Sequence, residues 1–584
     1  MFEDLKKQII SKIDDFCLQR NLPTGKVEFR NIPFSGEWGM AAPFFPLAAA
    51  DPNKTVPVPL HAQALAEELK EIIGLPEGFT RSEAVKGYLN LYFDTGIYAS
   101  ALVEKIAKEN DNYGNSETKG KTIMVEYSNP NTHKPLHVGH LRNVILGGSV
   151  CNILEAAGYR VIRANYIGDI GLHVIKWMCN YENYHAGEQP ATDKMRWMAD
   201  LYAEADKRFH EEEGFEEKVR AYFGRWDAGD EHIHDLWLQT RQWSMDGFDQ
   251  VYELLGEHFE RIYFESDVED SGKVLVDELI KKGIATDGRP ENPVIVDLDG
   301  ILGTKEEYRV AVILRSDGTS LYATKELPLA IMKFEEYDLD QSIYVIDVRQ
   351  SLHMKQMAKL LELMGYDWAK RIHHLAYEIV NLPGNVVMSS RDGTVVLLDD
   401  LVREATQRAL EVVKEKNPGL DEVTMSTVAE KVALGAIKYP MISRENTKIV
   451  TFDWESALDF NGQSAPYIQY ACVRASSLLK KADFSELELK PSFGYQLESA
   501  EVNLIEKLSK LPEEIQKAAK DMKPSGLATY AYDLAKAFND FYNQCQVIKA
   551  EPEIRSSRLA LVVVSKISLK KVLELLGIQV PQVM

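Results

Sequence analysis

Three histidines fall close together in Ser128-Asn129-Pro130-Asn131-Thr132-His133-Lys134-Pro135-Leu136-His137-Val138-Gly139-His140. Such a cluster can hold a metal or meet an anion. The spacing argues against a metal. His137 and His140 are not at i, i+4, and Pro135 interrupts the one pair that is, His133 and His137. No glutamate takes the general-base place of an HExxH site, and no cysteine stands near. An anion uses the same residues better. If a strand ends before this segment and a helix starts near Gly139, the free N–H groups and the dipole of the helix start attract phosphate. Gly139 lets a nucleotide lie against the backbone. His137 and His140 can then donate hydrogen bonds to charge that develops on an attacked phosphorus.

The elements around the segment suit that chemistry. Residues 121–128 (KTIMVEYS) read as a buried strand, about 139–157 as a long helix stopped by Gly158, and 160–166 as a second strand. Strand, helix, strand opens a nucleotide-binding α/β fold. Residues 119–176 hold seven Lys/Arg against three acids, in a chain whose net charge is −22. That overall charge excludes a protein that sticks to nucleic acid by charge alone.

Around this core the chain divides. Leu5, Ile9, Ile10, Ile13 and Phe16 predict an amphipathic helix over 1–20. Helices are expected at 62–73 and 98–109, and a strand at 87–94. Residues 110–120 (NDNYGNSETKG) mark a boundary. Residues 185–292 read as an acidic helical insertion. Strand and helix signals resume at 294–298, 308–314, 342–347 and 352–364, and from about 402 the chain reads as helical. The five cysteines are scattered without a CxxC, which suits a reducing cytosol rather than a disulfide scaffold. The N-terminus is not a signal peptide, and no apolar run is long enough for a membrane span.

The string VEYSNPNTHKPLHVGHLRN resembles the first signature of class I aminoacyl-tRNA synthetases, in the form that arginyl-tRNA synthetases carry. LYATKELPLA (321–330) and YVIDVRQSLHMKQ (344–356) resemble that family's arginine-pocket segments. VVMSSRDG (386–393) sits where the family has its second, KMSKS-type motif. Residues 439–477 resemble the start of its helical anticodon-binding domain. The resemblance implies an α/β Rossmann-type nucleotide-binding catalytic core with a helical insertion, an α+β N-terminal domain and an all-α C-terminal anticodon-binding domain. The expected limits are 1–115 for an additional tRNA-binding domain, 116–385 for the catalytic domain with its insertion at about 185–292, 386–455 for the second-motif loop and connecting helices, and 456–584 for the anticodon-binding domain.

It also implies roles. Asn129, Pro130, His137, Gly139, His140 and Met388 would bind ATP. His137, His140, Lys134, Ser389, Ser390 and Arg391 would carry the catalysis. Glu126, Ser128, Asn131, Tyr322, Glu326 and Gln350 would bind L-arginine, with Glu126 and Glu326 facing the guanidinium. A planar guanidinium is best met by carboxylates and a flat aromatic ring. Tyr467, Gln469, Tyr470 and Arg474 would touch tRNA, since unpaired bases stack on tyrosine and arginine planes. ATP enters as a substrate with Mg2+, no tightly bound metal is implied, and the resemblance implies a cytoplasmic monomer that acts on arginine and tRNA(Arg).

The sequence departs from the family pattern twice. Asp392 stands where many relatives have a basic residue, and Lys134 is the candidate for replacing part of that charge. Glu326 stands where aspartate is usual. Pro328 is expected in the first turn of its helix. The alternatives are a tRNA-binding relative that has lost amino-acid activation, another HxGH nucleotidyl transferase, and the same chemistry on lysine. The paired acids and the tyrosine suit guanidinium better than lysine.

Overall fold

A computed structural model describes residues 3–32, 36–189, 193–382, 386–387, 398–484, 489 and 491–584. The chain forms two compact units, residues 1–114, 470–513 and 530–571 in one, and 115–469, 514–529 and 572–584 in the other.

The second unit contains a five-stranded parallel sheet. Its strands are β1 (Thr122–Glu126), β2 (Arg160–Ile167), β3 (Arg261–Phe264), β4 (Gln341–Asp347) and β5 (Ile372–Tyr377), in the order β5-β4-β1-β2-β3. Glu126 pairs with Ala164 of β2 and with Tyr344 of β4. The chain reverses direction across the sheet between β1 and β4. In an open parallel sheet that switch point, outside the C-terminal strand ends, is where ligands bind. The buried strands read as apolar runs, as strands covered on both faces do. Met124, Ile162, Ala164 and Tyr263 of the sheet bury against Leu329 and Leu339.

Helix α1 (Val138–Ala156) follows β1 and is buried along nearly its whole length, which explains its lack of a polar stripe. The insertion contains helices at Lys194–Glu211, Phe215–Asp227 and Glu231–Leu255 around a tryptophan-rich core. The expectation of helix through 292 is corrected here. Arg261–Phe264 leaves the insertion and pairs with β2 as the edge strand. Four residues at an edge are too few to show alternation.

Helices α2 (Tyr322–Glu336) and α3 (Ser351–Leu363) flank β4 in sequence. Pro328 lies well inside α2, not in its first turn. The carbonyl it leaves without a helical donor, that of Thr324, abuts Gly272, where a Cβ would come within 2.1 Å. Pro328 is therefore accommodated by a close helix–helix approach rather than by position.

The first unit holds an antiparallel four-stranded sheet, with strands Arg30–Asn31, Gly39–Pro43, Tyr88–Phe93 and Phe79–Val85 in that spatial order, and helices at Glu3–Gln19, Val58–Ile73 and Thr95–Glu109. Beyond 398 the described chain is almost wholly helical, from Leu398–Lys416 to Pro552–Leu575. Among the described residues no helix is long and apolar enough to cross a membrane.

Candidate active site

Between β1 and α1 the chain crosses the switch point on a bent path. Ser128 and Asn129 adopt φ values of 75° and 48°. Such angles persist in non-glycine residues when neighbouring groups hold them. Here Ser128 N–H donates to Asn143 Oδ1 (2.6 Å) and Asn129 N–H to Asn165 Oδ1 (3.1 Å), while Tyr166 N–H donates to Asn129 Oδ1 (3.1 Å). Asn143 Nδ2 also donates to Val345 O of β4 (2.7 Å), so one side chain ties the ends of β1 and β4 together.

His137 is the N-cap of α1. Its Nδ1 accepts from Gly139 N–H (3.1 Å), and His140 Nδ1 accepts from His137 N–H (3.2 Å), with ring centroids 4.0 Å apart. The reciprocal cap satisfies helix-start donors. It also assigns the tautomer: a neutral ring whose Nδ1 accepts carries its hydrogen on Nε2. Burial, and behind it the Lys134 charge, holds the His137 pKa below the usual histidine value; burial, then His137 and Lys134, holds that of His140 well below it. Both rings are neutral N–H donors at neutral pH, fixed before any ligand arrives. Gly139 is required by contact: a Cβ there would stand 2.8 Å from His137 Cε1 and 3.0 Å from Nδ1, and would push the ring off its cap.

The third histidine does different work. His133 is buried, bonded at Nδ1 to Thr132 Oγ1 (2.9 Å) and at Nε2 to Thr240 Oγ1 (2.8 Å), and burial lowers its pKa to about 3. It locks the segment to the insertion's long helix. Lys134 is half-buried with Nζ 5.6 Å from the Tyr202 ring centroid, and burial, then the charge of Lys176, lowers its pKa. Its charge acts on both His137 and His140.

The residues expected around arginine fall at the strand ends and at the starts of α2 and α3. Asn131 bridges to Gly168 after β2. Glu126, 2% exposed, accepts from Asn129 Nδ2 (3.1 Å) and from Lys333 of α2, itself fully buried and 4.2 Å from the Tyr344 ring centroid. Glu326 is paired with His353 of α3. Tyr166, on β2, feels the charges of Glu265, Glu326, Glu126 and Asp169, which with burial drive its pKa far up. The charges of Glu126 and Glu326 thus both reach the Tyr166 hydroxyl. Tyr322, at the first turn of α2, is 76% exposed, and Gln350 is exposed at the start of α3. Ser128 points inward, its hydroxyl 2.7 Å from Tyr252 Oη. Pro130 is buried beneath the crossing. Met388, Ser389, Ser390, Arg391 and Asp392 lie outside the described residues.

Of the expected tRNA contacts, Tyr467 and Tyr470 are half-buried on the helix Ala465–Ala482. The Arg474 guanidinium lies 4.7 Å from the Tyr470 ring centroid and 4.8 Å from that of Tyr542, and donates to Asn539 Oδ1 (2.5 Å). Gln469 needs correction: it is fully buried, and its amide donates to Lys431 O (3.0 Å) and Gln579 O (2.7 Å). That amide packs helices and is not free to meet a base.

Sequence reasoning missed Asn143, Tyr166, Lys333 and His353. Asn143 sits three residues beyond His140, and His353 three beyond Gln350, so helical spacing from residues already chosen points to both. Lys333 follows Glu326 by seven residues, two turns along one face of α2.

The profile of tRNA synthetases class I (R), catalytic domain, matches residues 102–454, and that of the DALR anticodon binding domain matches residues 468–584. An arginine–tRNA ligase of Clostridium botulinum is 35% identical over 535 residues, 89% of this chain and 90% of that one. One from Phocaeicola vulgatus is 33% identical over 618 residues, 99% of each chain. Among solved structures, Thermus thermophilus arginyl-tRNA synthetase superposes with a TM-score of 0.79 at 27% identity, covering 99% of this chain and 100% of that one. The likeness runs through both matched domains and through the switch point where the histidine pair sits, which a borrowed motif would not do, and the chain belongs to the arginine–tRNA ligase family of class I aminoacyl-tRNA synthetases.

Proposed function

We propose that the chain joins L-arginine to tRNA(Arg) in two steps. Ligases of this class use ATP. In the first step an arginine carboxylate oxygen attacks the α-phosphorus, the bond to the bridging oxygen breaks, and arginyl-adenylate and pyrophosphate form. In the second a hydroxyl of the terminal adenosine of tRNA attacks the arginyl carbonyl, and AMP leaves.

The observation that carries this reading is the pair of neutral Nε2–H donors at the start of α1, at the sheet's switch point, where β1 also ends on Glu126. Both steps build charge on phosphate oxygens and need positioning more than proton transfer. His137 and His140 supply donors that cost no reorganisation at the moment of reaction. Asn129, Pro130 and Gly139 shape the floor for the nucleotide, and Lys134 adds positive charge on the polyphosphate side. Mg2+ accompanies the ATP. The guanidinium is read by Glu126 and Glu326 with Tyr322 as its flat wall, while Asn131 and Gln350 hold the amino-acid end. Ser128, expected on arginine, is buried with its hydroxyl on Tyr252, so its part is to support the crossing from beneath rather than to bind the ligand. Met388, Ser389, Ser390 and Arg391 keep their proposed place on the nucleotide. For tRNA, Arg474 and the tyrosines Tyr467 and Tyr470 offer stacking surfaces. The protein is proposed to act as a cytoplasmic monomer.

The departures at Asp392 and Glu326 favour one competing reading, a tRNA-binding relative without activation. ATP–pyrophosphate exchange with each of the twenty amino acids, with and without total tRNA, separates the two. Exchange with arginine alone supports the ligase. No exchange with any amino acid, while tRNA still binds, supports the relative.

A further inference from the structure

Helices α2 and α3 bring four polar side chains to their first turns: Tyr322 and Glu326 on α2, Gln350 and His353 at the start of α3. Glu326 Oε2 is hydrogen-bonded to His353 Nε2, and the two side chains are only 14% and 23% exposed. Among the described residues Glu326 Oε1 has no hydrogen-bond partner, and Glu326 is the only charged side chain that acts on the His353 ring. Of the other titratable groups on the elements packed against α3, Glu336 pairs with Arg261, and burial, then His374, lowers the pKa of His373. Lys325 pairs with Glu265 and Lys333 with Glu126; Arg349 pairs with Asp347; Arg371 donates to Leu339 O, and His374 bonds Ile346 O. Asp367 and Lys370 are exposed. Among the described residues no other cation pairs with Glu326, whose charge also reaches the Tyr166 hydroxyl.

A half-buried carboxylate is expensive without a counter-charge. The family pattern puts aspartate at this position. Glutamate reaches one methylene further, and here that reach ends on a histidine one helical turn from Gln350. We propose that His353 is the positioning residue for Glu326 in the arginine pocket, and that arginine and the second proton of His353 compete for that carboxylate. The inference rests on the arginine reading given above.

The exchange balances simply. Without ligand, the imidazolium donates from Nε2 to Oε2 and neutralises Glu326. An arriving guanidinium donates to Oε1 and brings its own charge. Two cations on one carboxylate are one too many, so the Nδ1 proton of His353 leaves to solvent. The neutral ring keeps its Nε2–H on Oε2 and still fixes the carboxylate. Burial disfavours the charged ring, but the hydrogen bond and charge of Glu326 together outweigh it and raise the His353 pKa above its ordinary value.

The sign follows from linkage: protons and arginine oppose each other, so the KM for arginine falls as pH rises and then levels. One coupled proton gives a fall of up to about tenfold per pH unit before the levelling, looked for between about pH 6 and pH 9. The test is aminoacylation by the full chain across that range, reading KM for arginine, KM for ATP and kcat, for the unmodified chain, His353→Gln and His353→Phe. Titration calorimetry of L-arginine in buffers of different ionisation enthalpy counts the protons released. The expected result has three parts. The unmodified chain shows the slope in the arginine KM alone. His353→Gln keeps a neutral donor and flattens it. At the alkaline end, where the ring of the unmodified chain is already neutral, His353→Phe raises the arginine KM at least about tenfold, the cost of a lost charge-assisted hydrogen bond, with kcat changed far less. Glu326→Asp, too short to reach α3, makes His353→Gln silent and tests the pair without an apolar substitution. Identical pH slopes in the unmodified chain and His353→Gln, or no proton release, overturn the proposal while leaving arginine charging intact. Absence of charging with arginine in the unmodified chain overturns the parent reading, and this one with it.

Discussion

Lys333→Met tests the pocket from behind. The substitution keeps the length of the side chain and removes its charge. Lys333 is fully buried and its partner Glu126 is 2% exposed, so among the described residues the variant leaves the interior carboxylate with the Asn129 amide as its remaining hydrogen-bond donor. Breaking one side of such a pair costs about 3–5 kcal/mol, most of it the stranded charge. Urea titration of the unmodified chain, Lys333→Met, Glu126→Gln and the double variant measures this. The double variant should recover at least about 2 kcal/mol of the loss, because the coupling between contacting charges is removed together with both charges. Repeating the titrations with saturating L-arginine asks a second question. If Glu126 faces the guanidinium, arginine supplies the missing cation and stabilises Lys333→Met more than the unmodified chain, by at least about 1.4 kcal/mol, a tenfold difference in affinity. A loss below about 1 kcal/mol would refute the buried pair. Equal stabilisation of both chains by arginine would refute the assignment of Glu126 to the pocket.

Three further outcomes are expected. Gly139→Ala places a methyl 2.8 Å from His137 Cε1, so pyrophosphate exchange should fall by about 10²-fold with ligand KM values little changed; a loss under about threefold would mean the ring tolerates displacement. His133 has its pKa lowered to about 3 in the fold and titrates near 6.5 when unfolded, so the unfolded chain binds the extra proton between those values. Stability is therefore present above the unfolded value and is lost as pH falls, by up to about 4–5 kcal/mol from this group, and His133→Gln should flatten the acid side of a stability-versus-pH curve. Arg474→Lys keeps the charge but loses the plane held between Tyr470 and Tyr542, and tRNA affinity measured by filter binding should drop roughly tenfold with its salt slope little altered; an unchanged affinity would remove this residue from the interface.

The sequence made the catalytic half of the fold legible because its signals are local. The strand before the histidines, the long apolar helix after them and Gly158 all follow from neighbours in the chain. What sequence reading missed is set by distant partners. Lys333 meets Glu126 across 207 positions, and no periodicity on either side announces that contact. The edge strand Arg261–Phe264 acquires its identity from β2, not from its four residues. The tyrosines and the arginine beside Gln469 point to an RNA contact, yet one position along a helix turns the side chain by about 100°, enough to bury it. The missing donor of Pro328 by itself points to a first turn, whereas a glycine on a neighbouring helix makes room for it in mid-helix.

The shared cap of His137 and His140 sets the acid limit of the protein. The nitrogens that would take up a proton as the medium is acidified are the ones that accept from Gly139 and His137 N–H. Protonation there cannot produce a better cationic catalyst in place, because it turns two acceptors into donors that face other donors. The first turn of α1 must fray before either ring can charge. Inactivation by acid should therefore begin as a local opening of one helix start, read out by faster hydrogen exchange at the amides of Gly139 and His140 while the rest of the sheet stays protected.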